Sequence, residues 1–195
     1  MKKLSYVFLT AAAAFVMSSC NNTPKDAKQS ADSLNKTKDT TTNVAATGGI
    51  AVTSDDAKFA TNAADGGMAE VALAKLALQK TTNPQITDFA NMMVKDHSAA
   101  NDALMAIAKN KSITLPTAVS ADDQKEMDDL SKKSGKDFDK AYVDAMIDGH
   151  KKALSLFEDA AKNCKDADLK TFAANTAPTV QMHLDAIDKI KDNMK

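Results

Sequence analysis

Residues 83–110, NPQITDFANMMVKDHSAANDALMAIAKN, decide the fold. Asn83 followed by Pro84 reads as an N-cap and first helical residue, because Pro lacks an N–H where none is needed and Asn can accept from the orphan donors of the first turn. At 100° per residue Ile86, Phe89, Met93, Ala100, Leu104 and Ile107 fall on one stripe, which predicts an amphipathic helix to about Asn110. His97 lies at the centre of that apolar stripe.

The same pattern recurs on both sides. Ser54 reads as the cap of a helix to about Lys80, with Asp55 and Asp56 in its first turn. A short acidic helix is expected over roughly residues 121–134, ended by Gly135, and long helices over about 136–163 and 167–192. Each long helix is near 40 Å in length at about 1.5 Å per residue. Tight connections at residues 81–83 and 164–166 make two antiparallel hairpins, and the segment between them is long enough to cross back along the bundle. This predicts an all-α fold: a ferritin-like four-helix bundle with a short extra helix in the crossover between helix pairs. An up-down-up-down bundle with an elaborated middle loop is the alternative.

Composition agrees. Of the 195 residues, six are Gly and four are Pro, too few for β-sandwiches, barrels or Gly-rich nucleotide folds. The 25 basic residues are all Lys against 26 acidic ones, for a net charge of -1, so neither a global field nor a guanidinium fork favours nucleic acid. The sequence holds no P-loop, dinucleotide fingerprint, nucleophile elbow, Cys-x-x-Cys or His-Glu-x-x-His, and thus no pattern naming an enzyme. The Asp55-Asp56, Asp122-Asp123 and Asp128-Asp129 pairs lack the alternating oxygen ligands around a Gly that a Ca²⁺ loop needs.

The chain start carries an address. Lys2 and Lys3 precede an apolar stretch from Leu4 to Met17, and Ser18-Ser19-Cys20 closes it, so residues 1–19 read as a lipoprotein signal peptide and Cys20 as the lipidated residue. A plain signal peptide with a chance Cys is the other reading. The Ser-Ser-Cys form resembles lipoproteins of the Bacteroidetes type. Lipid on Cys20 predicts an exported protein, anchored at the periplasmic or cell-surface face of the outer membrane. Residues 20–53, rich in Asn, Thr, Ser and Lys, are expected to be a disordered tether with a reach on the order of 30 Å, and residues 54–195 the bundle domain. Cys164, then the only thiol, is expected to be buried and inert.

The core stripes contain groups that an ordinary core would not. Glu70 lies in the middle of Phe59, Ala63, Gly66, Leu73, Ala74 and Ala77; His183 lies among Leu169, Phe172, Thr176, Val180, Leu184 and Ile187. On the fourth helix the stripe runs through Phe138, Tyr142, Ala145, Gly149, Leu156 and Phe157, with His150 on its shoulder. Counted from the hairpins, Glu70, His97, His150 and His183 stand near one level, within roughly 5 Å. A buried carboxylate needs compensation. A divalent ion held by Glu70, His97, His150 and His183 supplies it, and a Glu–His hydrogen-bond network without metal is the structural alternative.

Zinc, copper or iron are the candidates. The Glu-x-x-His pair of di-iron proteins is missing, since Val94 precedes His97 by three residues and Val180 precedes His183, so a mononuclear or His-rich site fits better. Met93 and Met146, four residues before His97 and His150, would suit copper(I) but also serve as core filler. Pro178 is expected to kink the last helix a turn before His183.

Four runs in order, Gly66-Gly67-Met68-Ala69-Glu70-Val71, Asp96-His97-Ser98-Ala99-Ala100-Asn101, Phe138-Asp139-Lys140-Ala141-Tyr142 through His150, and Thr176-Ala177-Pro178-Thr179 through His183-Leu184, resemble an uncharacterised family of exported bacterial proteins. The resemblance spans about residues 55–190. It implies a ferritin-like bundle and a domain of unknown function, often labelled an outer-membrane protein, and supplies no catalytic residues. Two functions follow as expectations. One is a membrane-anchored envelope lipoprotein binding a divalent ion in its bundle core; the other is a non-catalytic interaction or stress-protective envelope protein whose Glu/His core is structural. The membrane, through the lipid, is the expected partner; no protein partner is indicated.

Overall fold

Side-chain caps set most of the helix bounds. In the computed structural model, which describes residues 26–38 and 52–194, the described residues form six helices and no strand: α1 (Ala27–Lys38), α2 (Ser54–Lys80), α3 (Pro84–Asn110), α4 (Ala121–Ser131), α5 (Gly135–Asn163) and α6 (Ala167–Asn193). Thr53 caps α2 by accepting from Asp56 N, which moves the cap one residue before the expected Ser54. Asn83 caps α3 with Pro84 at its start, and Asp166 caps α6 through the amides of Asp168 and Leu169. Gly135, expected to stop the short helix, instead opens α5; its φ of 54° makes the left-handed turn after α4. The signal segment, Cys20 and residues 21–25 and 39–51 of the expected tether lie outside the described residues.

α2 packs against α3 and α5, and α6 packs against α5 and α3, so the four long helices ring one core. Contacts between their ends give the directions. Asp56, at the start of α2, accepts from the amides of Lys165 and Asp166 just beyond α5, and Lys111, just after α3, pairs with Asp166 and Asp168 at the start of α6. The segment between α3 and α5 therefore returns along the length of α2. Ser120 N donates to Asp65 near the middle of α2, and Lys80 at its far end donates to Lys133 O. No helix among the described residues is long and apolar enough to cross a membrane.

The core is stratified. One apolar layer joins Phe59, Leu104, Phe157 and Leu169, with the rings of Phe59, Phe157 and the half-buried Phe172 in mutual edge or tilted contact. The other joins Leu73, Ile86, Phe89, Met93, Phe138, Tyr142 and Ile187. Each long helix passes from one layer to the other, and the residues at the crossing are Glu70, His97, His150 and His183.

The segment expected to be disordered contains α1. Its apolar face is only Ala27, Ala31 and Leu34, too little to reveal a period in the sequence. Docking rests instead on polar contacts with distant residues. The Asn35 amide both donates to Thr114 O and accepts from Thr114 N, each at 2.8 Å, and Thr61 donates to Asp32. A buried amide satisfied on both sides holds a helix that propensity alone would not. Pro178 does not interrupt α6, which runs unbroken from Ala167 to Asn193. Pro178 and Ala174, whose carbonyl it frees, are both exposed residues, so the missing bond lies on the solvent side of the helix.

Candidate metal centre

Glu70, His97, His150 and His183 come one from each of α2, α3, α5 and α6, and all four are buried, at 7%, 7%, 0% and 1% exposure. Their ring centroids form a near-equilateral triangle: 5.6 Å from His97 to His150, 5.2 Å from His97 to His183 and 5.6 Å from His150 to His183. One ring nitrogen from each histidine lies within 4.8 Å of the others. Phe89 closes one side, 6.1 Å from the His150 ring. His150 is thus central rather than on a shoulder. The core stripe of α5 runs through Phe138, Tyr142, Met146 and His150, while Gly149 is only half-buried. The small residues Ala145 and Gly149 had drawn the expected axis to the wrong side of the helix.

Each imidazole uses one nitrogen on an acceptor outside the triangle. His97 Nδ1 donates to Glu70 Oε2 at 2.8 Å; His150 Nδ1 donates to the Met146 carbonyl at 2.8 Å; His183 Nε2 donates to Asp96 Oδ2 at 3.0 Å. A carbonyl or carboxylate oxygen can only accept, so these nitrogens carry the protons. In the neutral rings the remaining atoms, His97 Nε2, His150 Nε2 and His183 Nδ1, are then lone-pair acceptors. All three are buried and none has a hydrogen-bond partner in the protein. Three buried, unpaired acceptors on three adjoining rings fit a cation.

Burial keeps the rings of His150 and His183 neutral. Burial depresses the His183 imidazole to about 4 despite the bond to Asp96, and burial lowers His150 against the pull of the Glu70 charge. Burial works against the Glu70 anion, but the His97 hydrogen bond and the neighbouring imidazoles outweigh it and hold the carboxyl below its ordinary range. At neutral pH the layer presents the Glu70 carboxylate and the uncharged, coordination-ready imidazoles of His150 and His183.

Residues 39–190 match the family described as a domain of unknown function, DUF4142. The chain belongs to that family. A crystal structure of a DUF305 fragment from Deinococcus radiodurans is similar to this DUF4142 chain with a TM-score of 0.64, over 71% of this chain and 96% of that one. At 12% identity the likeness is one of fold. No curated protein matches the chain.

Within the DUF4142 domain the structure brings all four expected residues together but gives Glu70 a different position from the histidines. Its nearest approach to His150 Nδ1 is 3.6 Å, and its short contact is to the outer nitrogen of His97. Asp96, which orients His183, was missed. It precedes His97 by one residue and so sits 100° off the core stripe, at the edge of the solvent face, where helical projection assigns it to water. Met93 and Met146 are buried in the adjoining apolar layer. Cys164 ends α5, buried, with its thiol pushed up to about 12 by burial and by Asp56, as an inert thiol should be.

Proposed function

We propose that the DUF4142 domain binds one divalent transition-metal ion through His97 Nε2, His150 Nε2 and His183 Nδ1, with Glu70 and Asp96 as outer-sphere carboxylates. The observation that carries this is the tautomer set: three ring nitrogens that donate to protein acceptors, and three buried ring nitrogens without protein donors on rings whose nitrogens approach within 4.8 Å. Carboxylate–imidazole pairs of this kind fix ring orientation and raise ligand basicity. An all-nitrogen donor set favours zinc or copper(II) over magnesium or calcium, and three protein ligands leave a position for water or a small ligand. The single layer of carboxylates outside the imidazoles does not supply the bridging oxygens of a two-iron site.

The setting belongs to the same proposal. The hairpin, crossover, hairpin order supports a ferritin-like four-helix bundle, and the Ser18-Ser19-Cys20 segment supports a lipid anchor at Cys20 with the domain in the cell envelope.

Protein purified without a histidine tag should contain close to one equivalent of zinc or copper by elemental analysis. His97→Ala/His183→Ala should lose it while keeping its helical circular dichroism. Metal-free protein whose thermal midpoint ignores added zinc, copper and iron would refute the metal reading and leave a hydrogen-bonded Glu/His core. Cys20→Ala should move the chain from the membrane to the soluble fraction.

A further inference from the structure

A cavity of about 200 Å³ is lined by residues of α2, α3, α4, α5 and α6, with Glu70 and His97 in its wall. Asp123, Glu126, Asp148 and Lys152 line it as well, and Glu126, Asp148 and Lys152 are exposed. His150 and His183 do not line it, so from this side Glu70 and His97 stand in front of the other two rings. His97 brings a buried nitrogen without a protein partner. The cavity thus brings exposed acidic side chains and the Glu70–His97 edge of the histidine layer into one lining.

We infer that this cavity is the path by which a divalent cation reaches the histidines, with Asp123, Glu126 and Asp148 as its acidic mouth and Glu70 as the carboxylate met at its inner end. The inference rests on the metal reading above. Three carboxylates against one ammonium focus a negative potential on the mouth, and low-dielectric walls strengthen it. Burial and the charges of Asp123 and Asp148 raise the Glu126 carboxyl, as expected where like charges are crowded. Asn62, Asn101 and Thr176, also in the wall, provide neutral oxygens for an ion shedding water.

Two adjacent glycines in mid-helix sharpen the case. Glycine weakens a helix interior, so each needs a reason. Gly67 has one in packing: a Cβ there would come within 2.1 Å of Asn101 Oδ1. Gly66 has none, since a Cβ there would meet nothing within 4 Å, and it lines the cavity. A bare backbone at Gly66 leaves the passage open.

Stopped-flow mixing of the metal-free full chain with Co²⁺, whose visible absorbance reports coordination, tests this with two variants. Asp123→Asn/Glu126→Gln/Asp148→Asn should slow association about tenfold at low ionic strength, and the gap should close as salt screens the mouth. Gly66→Leu, whose Cβ would meet nothing within 4 Å and whose helix propensity exceeds that of glycine, should slow association and dissociation together. Its equilibrium affinity should stay within about threefold of the parent, because no ligand has changed. Parental association rates in both variants would overturn the path while leaving the metal centre intact. Failure of the parent protein to take up Co²⁺ at any concentration would overturn both.

Discussion

At the residue scale the informative atoms are the outer nitrogens. Asp96→Asn keeps a side chain that can still face His183 but removes the charge that pins its tautomer. Zinc affinity measured by chelator competition should fall about 10–100-fold without loss of the fold. Glu70→Gln should act similarly through His97, since the amide oxygen can still accept from Nδ1. Acid should undo the layer. His183 is held near 4 in the folded chain against an ordinary 6.5, so the unfolded chain takes up the proton first as pH falls. This contribution to stability is complete above pH 6.5 and is lost progressively down to about pH 4, on the order of 3 kcal/mol. The lowered Glu70 carboxyl has the same sign, its contribution vanishing as pH drops through its folded value. Urea midpoints at pH 7, 5.5 and 4.5 should therefore decline; a flat series would mean that the rings are already charged or solvated.

At the element scale, what the sequence made legible was what is local. Caps such as Asn83-Pro84 and Asp166, and stripes such as Ile86, Phe89 and Met93, are set by residues within a turn or two of each other, and the helices they define agree with the structure to within a few residues. The level of the three histidines was legible because short hairpins fix register. Features depending on distant partners were not: α1 is held by Asn35 against a loop far along the chain, and Asp96 acquires its meaning only from α6. Asn35→Ala should cost about 1–2 kcal/mol by leaving the Thr114 amide and carbonyl unpaired, and should raise hydrogen exchange across α1 before any other helix. The two glycines of α2 should respond oppositely. Gly66→Ala should stabilise by about 0.5–1 kcal/mol, as for an unobstructed helix site. Gly67→Ala should not gain this, because Asn101 must first vacate its place; denaturant titration of the two variants measures the difference.

At the scale of the whole molecule, the core consists of two apolar strata with an aqueous-chemistry stratum between them. Each hairpin, α2 with α3 and α5 with α6, owns half of the middle stratum: Glu70 and His97 on one side, His150 and His183 on the other. The halves meet through imidazole rings in T-shaped and tilted contact rather than through interdigitated methyl groups. An ion seated there would therefore be a cross-brace at the waist of the bundle. Chelation should loosen both hairpins in concert, while the aromatic ends of the barrel stay clamped. Occupancy of the centre and mechanical stiffness of the fold would then be one variable, readable by tracking exchange at mid-helix amides as the metal is withdrawn.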